Sequence, residues 1–345
     1  METQLLVGSS PHLRDADSIR KIMWSVVMAL LPAAALSVYF FGAGVLSVYA
    51  ISIASAEATE LLWLRVRGKP LHHAADGSAF VTGMLLAMVL PPGVAYYCPL
   101  VGGAFAIAVA KQPFGGLGSN IWNPALAARV FLQFAYPKQI SLASWTVPRL
   151  LWGTVVHAET MASPLAKEGV GAPLSHLDLL FGNGVPGCIG ETCKVALIAG
   201  GVFLIVRRIV DWRIPLCYLG TVFVLAWALP VGENVPAWAR AMASPGGSPD
   251  AWVRDPLFHV LSGGLVIGAF FMATDMVTTP ITRAGRAVFA VGCGLLVTVI
   301  RRYGGYPEGV AYSIVIMNTC VPLIDRWIRP RVYGSRTPKP VPRQA

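Results

Sequence analysis

The chain has 345 residues, of which 55% are hydrophobic and only 13% charged, and its formal net charge is +10 at pH 7. Soluble domains carry roughly 25% charged residues, so this composition excludes an ordinary soluble domain and places most of the chain in a lipid bilayer. The surplus of lysine and arginine would also suit nucleic-acid binding. However, these residues lie at the ends of apolar segments, where membrane proteins carry their orientation signals. We therefore expect membrane lipid, and no nucleic acid, around this protein.

Ten apolar segments follow one another and predict an all-α polytopic membrane protein with about ten transmembrane helices. Several segments are shorter than the roughly 20 residues that a straight span requires, so some helices should be short or broken. The segments lie at approximately 22–41, 45–64, 78–97, 98–110, 124–136, 193–207, 214–231, 257–275, 286–300 and 309–324.

The basic residues predict how these helices are oriented. Eighteen of the 27 lysines and arginines lie on one side of the expected spans, which predicts that both termini face the cytoplasm. The expected parts of the chain are a cytoplasmic N-terminal segment 1–21, a first membrane half 22–136, an extracytoplasmic loop 137–192, a second membrane half 193–325 and a cytoplasmic tail 326–345.

Two polar breaks, rich in glycine, proline or hydroxyl side chains, interrupt the apolar pattern. The first runs from Lys111 to Asn123, and the second runs from Thr274 to Thr282. Polar backbone at membrane depth is tolerated only where it is buried in protein or lines a cavity, so such breaks usually mark ligand sites. Asn123 followed by Pro124 also predicts the capped start of a short helix after the first break.

The two membrane halves resemble each other weakly. The Thr-Gly pair at 82–83 in the third span matches Ile-Gly at 267–268 in the eighth, and Gly-Gly at 115–116 matches Gly-Gly at 304–305. An odd number of spans in each half would make two inverted five-helix repeats with a site near their interface. The alternative is that glycine-rich membrane helices look alike without being related.

A specific pattern lies near the C-terminus, with RRYGGYPEGVAY at 301–312, Asn318, PLID at 322–325 and RPRVYG at 329–334. With Ala-Thr-Asp at 273–275, it closely resembles the RnfD/NqrB family. Its members belong to Rnf complexes, which are ion-translocating ferredoxin–NAD oxidoreductases, and to the related sodium-pumping NADH–quinone reductases. The resemblance covers nearly the whole chain, favours the Rnf branch and implies an electron-carrying protein in the bacterial inner membrane. It implies as partners other Rnf-type subunits, including a second flavinylated subunit and iron–sulfur subunits.

The resemblance also implies a covalent FMN, joined through its phosphate to a hydroxyl side chain by a flavin transferase. The matching stretch is HAETMASPL at 157–165, in which Ser163 replaces the family's acceptor threonine and His157 its leading aspartate. Serine still provides the hydroxyl that a phosphoester needs, so Ser163 is the expected acceptor and Thr160 the fallback. Both residues lie in the loop that is expected to face outside.

A second, non-covalent flavin is implied by the same resemblance: a riboflavin between helices, to which we assign Asn120, Asn123 and Asp275. Amides and a carboxylate can bind the pyrimidine edge of an isoalloxazine ring while apolar side chains enclose its xylene edge. The alternative is that Asn123 only caps a helix and that Asp275 only satisfies backbone amides at a helix break.

Ion translocation points to ionisable side chains within the spans, which are functional by default in membrane proteins. Glu57 and Glu60 lie on one face of the second span, and Arg129 lies inside the short fifth span as a plausible partner of Glu57. These three residues are our candidates for a Na⁺ or H⁺ path. Glu60 could instead pair with Arg65 near the interface and be only structural.

Other interpretations stay open at this point. Most of the six cysteines are expected to be small core residues. The alternative for Cys188 and Cys193 is a disulfide, if their loop faces an oxidising compartment. A secondary transporter for a small solute would show the same inverted repeats and polar breaks. A purely structural membrane anchor for redox partners is the third possible function.

Overall fold

The structure is a computed structural model, and within the described ranges every regular element is a helix. The expected all-α fold is therefore confirmed for this part of the chain. Three helices, Ile19–Phe41, Gly44–Val66 and Arg283–Tyr303, are long and apolar enough to cross a membrane. Their length and composition are those of a membrane protein. The described residues are 18–142, 176–182, 185–229, 250–304 and 309–329.

The helices of the described ranges, numbered in chain order, are α1 (Ile19–Phe41), α2 (Gly44–Val66), α3 (Ser78–Met88), α4 (Tyr97–Phe105), α5 (Pro124–Ala135), α6 (His176–Phe181), α7 (Lys194–Val206), α8 (Arg213–Ala228), α9 (Asp250–Leu261), α10 (Leu265–Ile267), α11 (Arg283–Tyr303) and α12 (Val310–Trp327). Wider π-helical segments continue α4 and α10 and form one separate turn, at Ala106–Lys111, Gly268–Met272 and Lys138–Leu142. Short 3₁₀ helices lie at Leu71–Asp76, Gln112–Phe114 and Ile189–Glu191.

Side-chain caps mark where two of the helices begin. Thr282 Oγ1 accepts a hydrogen bond from the Gly285 backbone N–H at 3.0 Å, at the start of α11. Asn123 Oδ1 accepts from the backbone N–H groups of Ala125 and Leu126 at 3.1 and 3.4 Å, at the start of α5. These bonds satisfy N–H groups that have no partner within the helix. The predicted capped start of α5 is confirmed.

Two of the expected spans differ in the structure. The segment expected at 78–97 ends as a helix at Met88, since two prolines follow shortly and proline has no N–H to continue the hydrogen bonding. The segment expected at 257–275 is interrupted after Leu261, where Gly263 adopts a φ of 65°, a left-handed conformation that favours glycine. The eighth expected span is therefore two helical pieces, α9 and α10, instead of one.

Each polar break follows directly on a π-helical segment, in which backbone N–H groups donate five residues back. The Gln112 N–H donates to the Ile107 carbonyl, and the Ala273 N–H donates to the Gly268 carbonyl at 2.7 Å. Such π segments are frequent at functional sites because they widen the helix locally. The helix is thus already distorted where the polar residues enter the bundle.

Glycine lets α3 pack directly on the backbone of α2. A Cβ atom at Gly83 would lie 2.7 Å from Ile53 Cα and 2.9 Å from the Ser52 carbonyl oxygen, which is closer than such atoms can approach. The Ser52 hydroxyl donates to the Gly83 carbonyl at 2.8 Å. Close contacts of small residues and hydrogen bonds between helices drive helix association in lipid, where apolar burial contributes little.

The packing pairs of the two halves correspond. In the first half α2 packs on α3 and α4, and in the second half α8 packs on α9 and α11. Between the halves, α1 packs on α7 and α5 packs on α12. The helices α1 to α5 can be matched in order with α7, α8, the α9–α10 pair, α11 and α12. In this matching, α1 is equivalent to α7 and α5 to α12, so both contacts between the halves join equivalent helices.

Basic side chains gather at one end of the helix bundle, which we call the basic end. Arg286 Nη1 and Arg213 Nη1 lie 3.1 and 3.4 Å from Asp211 Oδ2, and Arg207 Nη1 donates to Ser25 Oγ at 3.4 Å. Partial burial acts to raise the pKa of Asp211. The Arg213 backbone N–H and the two guanidinium groups outweigh this effect and hold the pKa below its usual value.

Replacing Gly83 with alanine should destabilise the protein, because the added methyl group would collide with the α2 backbone. Overpacking of this kind costs about 1–3 kcal/mol. Alanine at Gly220 in α8 is the control, since no atom lies within 4 Å of its Cβ position. Thermal unfolding should give a lower midpoint for Gly83→Ala and an unchanged or higher one for Gly220→Ala. Equal midpoints for the two variants would contradict this packing.

Candidate functional site

A cavity opens at the basic end, where the two polar breaks meet α1, α3 and α7; we call it the break cavity. It contains about 820 Å³ of empty space, part of which is open to solvent. Its polar lining comes mainly from the breaks and its apolar lining mainly from the helices. The lining residues are Ile22, Met23, Val26, Ser78, Val81, Thr82, Leu85, Lys111, Leu117, Asn120, Asn123, Pro124, Leu204, Ile209, Val210, Phe271, Thr274, Asp275, Met276 and Val277.

The three residues that we assigned to riboflavin, Asn120, Asn123 and Asp275, all line the break cavity. The structure therefore brings the two breaks together, as the paired polar segments predicted. Asn123 joins them directly, since its Nδ2 donates to the carbonyl oxygen of Met272 at 3.2 Å. The same side chain caps α5 through its oxygen, so one buried amide satisfies backbone groups on both sides of the cavity.

Asp275 accepts hydrogen bonds within the second break and lines the break cavity. Its Oδ1 accepts from the Val277 backbone N–H at 3.3 Å, and its Oδ2 accepts from the Thr278 hydroxyl at 3.3 Å. The Asn120 side chain lies close to this carboxyl group, and its Nδ2 donates to the Trp122 carbonyl oxygen at 3.1 Å. A carboxylate offers about four lone-pair positions, so these contacts leave capacity for a ligand donor. Asp275 thus does satisfy a backbone amide at the helix break, which was the alternative to ligand binding. This bond does not exclude contact with a ligand.

Asn318 belongs to this region, although the sequence marked it only as part of the family pattern. It is 1% exposed on α12. With its amide oxygen directed at the Asn123 backbone N–H, 3.2 Å away, its nitrogen donates to the Thr278 and Ile314 carbonyl oxygens at 3.2 and 3.3 Å. An amide in the middle of a largely apolar helix was the available signal, because such a group must find buried partners.

Glu60 lies in a buried polar cluster that reaches the wall of the break cavity. Lys111 Nζ donates to Glu60 Oε1 and Oε2 at 2.7 and 2.9 Å and to Ser78 Oγ at 2.6 Å, while Gln112 Nε2 donates to Glu60 Oε1 at 2.8 Å. All four side chains are buried. Glu60 therefore pairs with Lys111 at the end of the α4 segment. The alternative interpretation, in which Glu60 pairs with Arg65, is therefore wrong.

The three ion-path candidates do not form one group. Arg129 lies on α5 with its Nη2 3.8 Å from Cys188 Sγ, whereas Glu60 and the half-buried Glu57 lie on α2 near the basic end. Among the described residues, the ion pairs of the bundle do not include one between Glu57 and Arg129. That expected pairing is wrong: α3 and α4 pack against both α2 and α5, and the Arg129 side chain lies beside Cys188 instead.

The remaining candidates divide between described and undescribed parts of the chain. Cys188 and Cys193 are buried thiols that form no disulfide, so the considered bridge is absent. Their burial agrees with the core interpretation. Ser163 and Thr160, the expected FMN acceptors, lie outside the described residues.

A second cavity lies beside the first at the basic end; we call it the surface cavity. It contains about 1640 Å³, including open solvent, and shares only the side chain of Leu117 with the break cavity. Glu60 and Gln112 line the surface cavity, whereas Lys111 and Ser78 line the break cavity. The buried cluster thus separates the two cavities. The lining residues of the surface cavity are Ser18, Ile19, Arg20, Glu60, Leu64, Lys69, His72, Ala75, Asp76, Gln112, Gly115, Gly116 and Leu117.

Comparison with known proteins identifies the family of this chain. The model of the NQR2, RnfD, RnfE family matches residues 6–334. The chain is 42% identical over 340 residues to the D subunit of the proton-translocating ferredoxin:NAD(+) oxidoreductase complex of Clostridium ljungdahlii, with 96% of each chain covered. It is 44% identical over 334 residues to the D subunit of the Na(+)-translocating ferredoxin:NAD(+) oxidoreductase complex of Acetobacterium woodii, again with 96% of each covered.

A third relative, the D subunit of the ion-translocating oxidoreductase complex of Stutzerimonas stutzeri, is 39% identical over 345 residues, with 92% of each chain covered. These similarities extend over almost the entire chain, in agreement with the family pattern in its C-terminal part. The chain therefore belongs to the NQR2, RnfD, RnfE family.

Proposed function

We propose that this chain is the membrane electron-carrier subunit of a complex that couples electron transfer between ferredoxin and NAD to the translocation of Na⁺ or H⁺. The names of its relatives describe complexes of this kind. Electrons would pass through a covalent FMN and a bound riboflavin in this chain. The observation that carries the proposal is the break cavity, which places Asn120, Asn123 and Asp275 around one space.

The residues of the break cavity fit a flavin ring. Small-molecule sites combine apolar walls with a few placed polar groups. The break cavity has such a lining, with Val81, Leu85 and Phe271 among its apolar walls and the polar side chains of both breaks elsewhere. A bound flavin would supply reversible electron transfer. The protein would supply binding, orientation and exclusion of water.

Each polar residue has a distinct role in this proposal. Asp275 would accept a hydrogen bond from a ring N–H, and Asn120 would bind the carbonyl edge of the same ring system. Asn123 and Asn318 would hold the wall in place, because both use their amides to join the breaks and α12. The cavity would therefore be formed before the ligand binds.

We also propose that the chain forms ten transmembrane helices in two inverted repeats of five. The corresponding packing pairs support this architecture, since α1 with α7 and α5 with α12 are the contacts that a two-fold relation produces between equivalent helices. Positive charge marks the cytoplasmic side, so the basic end and the break cavity would face the cytoplasm of a bacterial inner membrane. The loop with Ser163 would face outside.

The partners in this proposal are the other subunits of the complex. The relatives are named as subunits, and this chain would pass electrons to a second flavinylated subunit and to iron–sulfur subunits. A flavin transferase would attach the FMN. Glu57 and Glu60 stay candidates for the ion path at the basic end, without Arg129.

Covalent flavinylation is tested by denaturing gel electrophoresis with in-gel flavin fluorescence, on protein produced together with a flavin transferase. A phosphoester survives denaturation, so we expect a fluorescent band for the wild type and for Thr160→Ala. Ser163→Ala should lose the fluorescence completely, because it lacks the acceptor hydroxyl. A fluorescent Ser163→Ala band, with fluorescence lost in Thr160→Ala, would move the attachment to the fallback residue. No fluorescence in any variant would refute a covalent flavin.

Binding of riboflavin in the break cavity is tested with the Asp275→Asn variant. We expect at least about tenfold weaker riboflavin binding, since a hydrogen bond to a charged group contributes about 1.5–3 kcal/mol. Asp325→Asn is the matched control, because Asp325 accepts the Ile281 backbone N–H away from the cavity lining. Quenching of flavin fluorescence in titrations of the purified proteins gives the affinities. Equal affinities of the two variants would exclude Asp275 from the site.

A secondary transporter for a small solute is the alternative function. A cavity at two broken helices, open at one end of a bundle of paired halves, suits a transporter as well. Purified protein that is colourless and binds no riboflavin, together with uptake of a solute into proteoliposomes, would favour transport over electron transfer.

A further inference from the structure

The buried cluster between the two cavities has an unusual arrangement of charge. The Lys111 ammonium group is enclosed by Glu60 Oε1, Glu60 Oε2 and Ser78 Oγ at 2.7, 2.9 and 2.6 Å, so each of its three N–H bonds has one oxygen acceptor. Lys111 is only 2% exposed and Glu60 only 4%. The ammonium thus occupies the centre of a ready-made group of oxygen ligands.

This oxygen group lies where membrane proteins commonly bind small cations. Lys111 is the last residue of the π-helical segment that continues α4, and a polar break follows it. The C-terminal ends of interrupted membrane helices coordinate Na⁺ in several transporter folds, because carbonyl dipoles and carboxylates concentrate negative potential there. The position, the ligand type and the buried carboxylate therefore all suit a monovalent cation.

We propose that Glu60 and Ser78 are ligands of a Na⁺ site, with Gln112 able to add its amide oxygen, and that Lys111 occupies and blocks this site in the structure. Na⁺ enters from the surface cavity, which Glu60 and Gln112 line, when the Lys111 side chain moves into the break cavity, which it already lines. The exchange conserves charge at Glu60, because one positive ion replaces another. This inference rests on the proposed function only in that ion translocation gives the site its role.

Electrostatics supplies a reason for the exchange. Leaving a buried carboxylate without a counter-charge is strongly unfavourable, so the ammonium and the Na⁺ must replace each other at Glu60. Moving the ammonium towards the break cavity becomes less costly when negative charge arrives in that cavity, since charges attract strongly at low dielectric constant. Lys111 would thereby link the charge of the break cavity to occupation of the cation site.

The test removes the tethered cation with Lys111→Met and Lys111→Ser and measures the midpoint of thermal unfolding in NaCl and in equal choline chloride. Both variants should unfold earlier than wild type in choline, and NaCl should restore the midpoint by about 5 °C or more in a saturable way. KCl should restore less. Wild type should depend little on the salt, because its own ammonium occupies the site.

Two controls make the result specific. Lys69→Met removes the same charge from the surface cavity without contact to Glu60, and it should show no Na⁺ response beyond wild type. The double variant Glu60→Gln/Lys111→Met lacks the buried carboxylate of the cluster, so its midpoint should be equal in both salts. If it still responds to Na⁺, the ion binds elsewhere and the site is refuted.

The remaining outcomes also distinguish the cation site from a purely structural ion pair. Lys111→Met and Lys111→Ser variants that unfold equally in NaCl and choline, or that fail to fold in both salts, show a purely structural ion pair and refute the cation site. Riboflavin binding measured on the same samples separates this result from the proposed function. Variants that bind riboflavin normally but ignore Na⁺ refute the cation site alone, whereas a wild type without any flavin refutes the electron-carrier function alone.

Discussion

The backbone groups of the two interrupted helices must find hydrogen-bond partners inside the bundle, and much of the structure depends on this constraint. Lipid offers no partners, so unsatisfied N–H and carbonyl groups at membrane depth are costly. Asn123 satisfies backbone groups of both interrupted helices, because its oxygen caps α5 and its Nδ2 donates to the Met272 carbonyl. Asn318 extends the connection to α12. The same amides link the breaks to each other and to α12, and the break cavity lies beside these links.

Buried charge is balanced locally at the same end of the bundle. Glu60 carries a negative charge into the protein interior, where Lys111 and Gln112 donate hydrogen bonds to it, and Ser78 accepts a further bond from Lys111. A buried ion pair adds little net stability, because the cost of removing both charges from water nearly offsets their attraction. Its retention beside two cavities therefore agrees better with a functional role than with a purely stabilising one. Because relatives of this chain are named as subunits of ion-translocating complexes, ion translocation is the functional role to test for this ion pair.

The cavity, the charge cluster and the family together favour an electron carrier over a transporter. Electron transfer needs little from a protein beyond cofactors held at the right place in a tuned environment. In the proposed function the break cavity would provide a partly polar enclosure for such a cofactor, and the adjoining ion pair would provide a charge beside it. Neither feature needs the large rearrangement of one half against the other by which a transporter exposes its site to alternate sides. The two features meet at one wall, where Lys111 lines the cavity and pairs with Glu60.

Most helical segments, the two breaks, the Asn123 cap and the family could be predicted from the sequence, because each of these depends on residues that are close along the chain or on a recognisable run. The ends of the third expected span and the interruption of the eighth could not. The family resemblance assigned Asn120, Asn123 and Asp275 to one predicted site, and the structure places all three at the break cavity. The partners of the buried polar groups depend on the tertiary structure. It paired Glu60 with Lys111 instead of Arg65, separated Arg129 from Glu57, and brought Asn318 to Asn123. The physical reason is that helix periodicity and capping are local, whereas the partner of a buried charge or amide is set by which distant helices pack together.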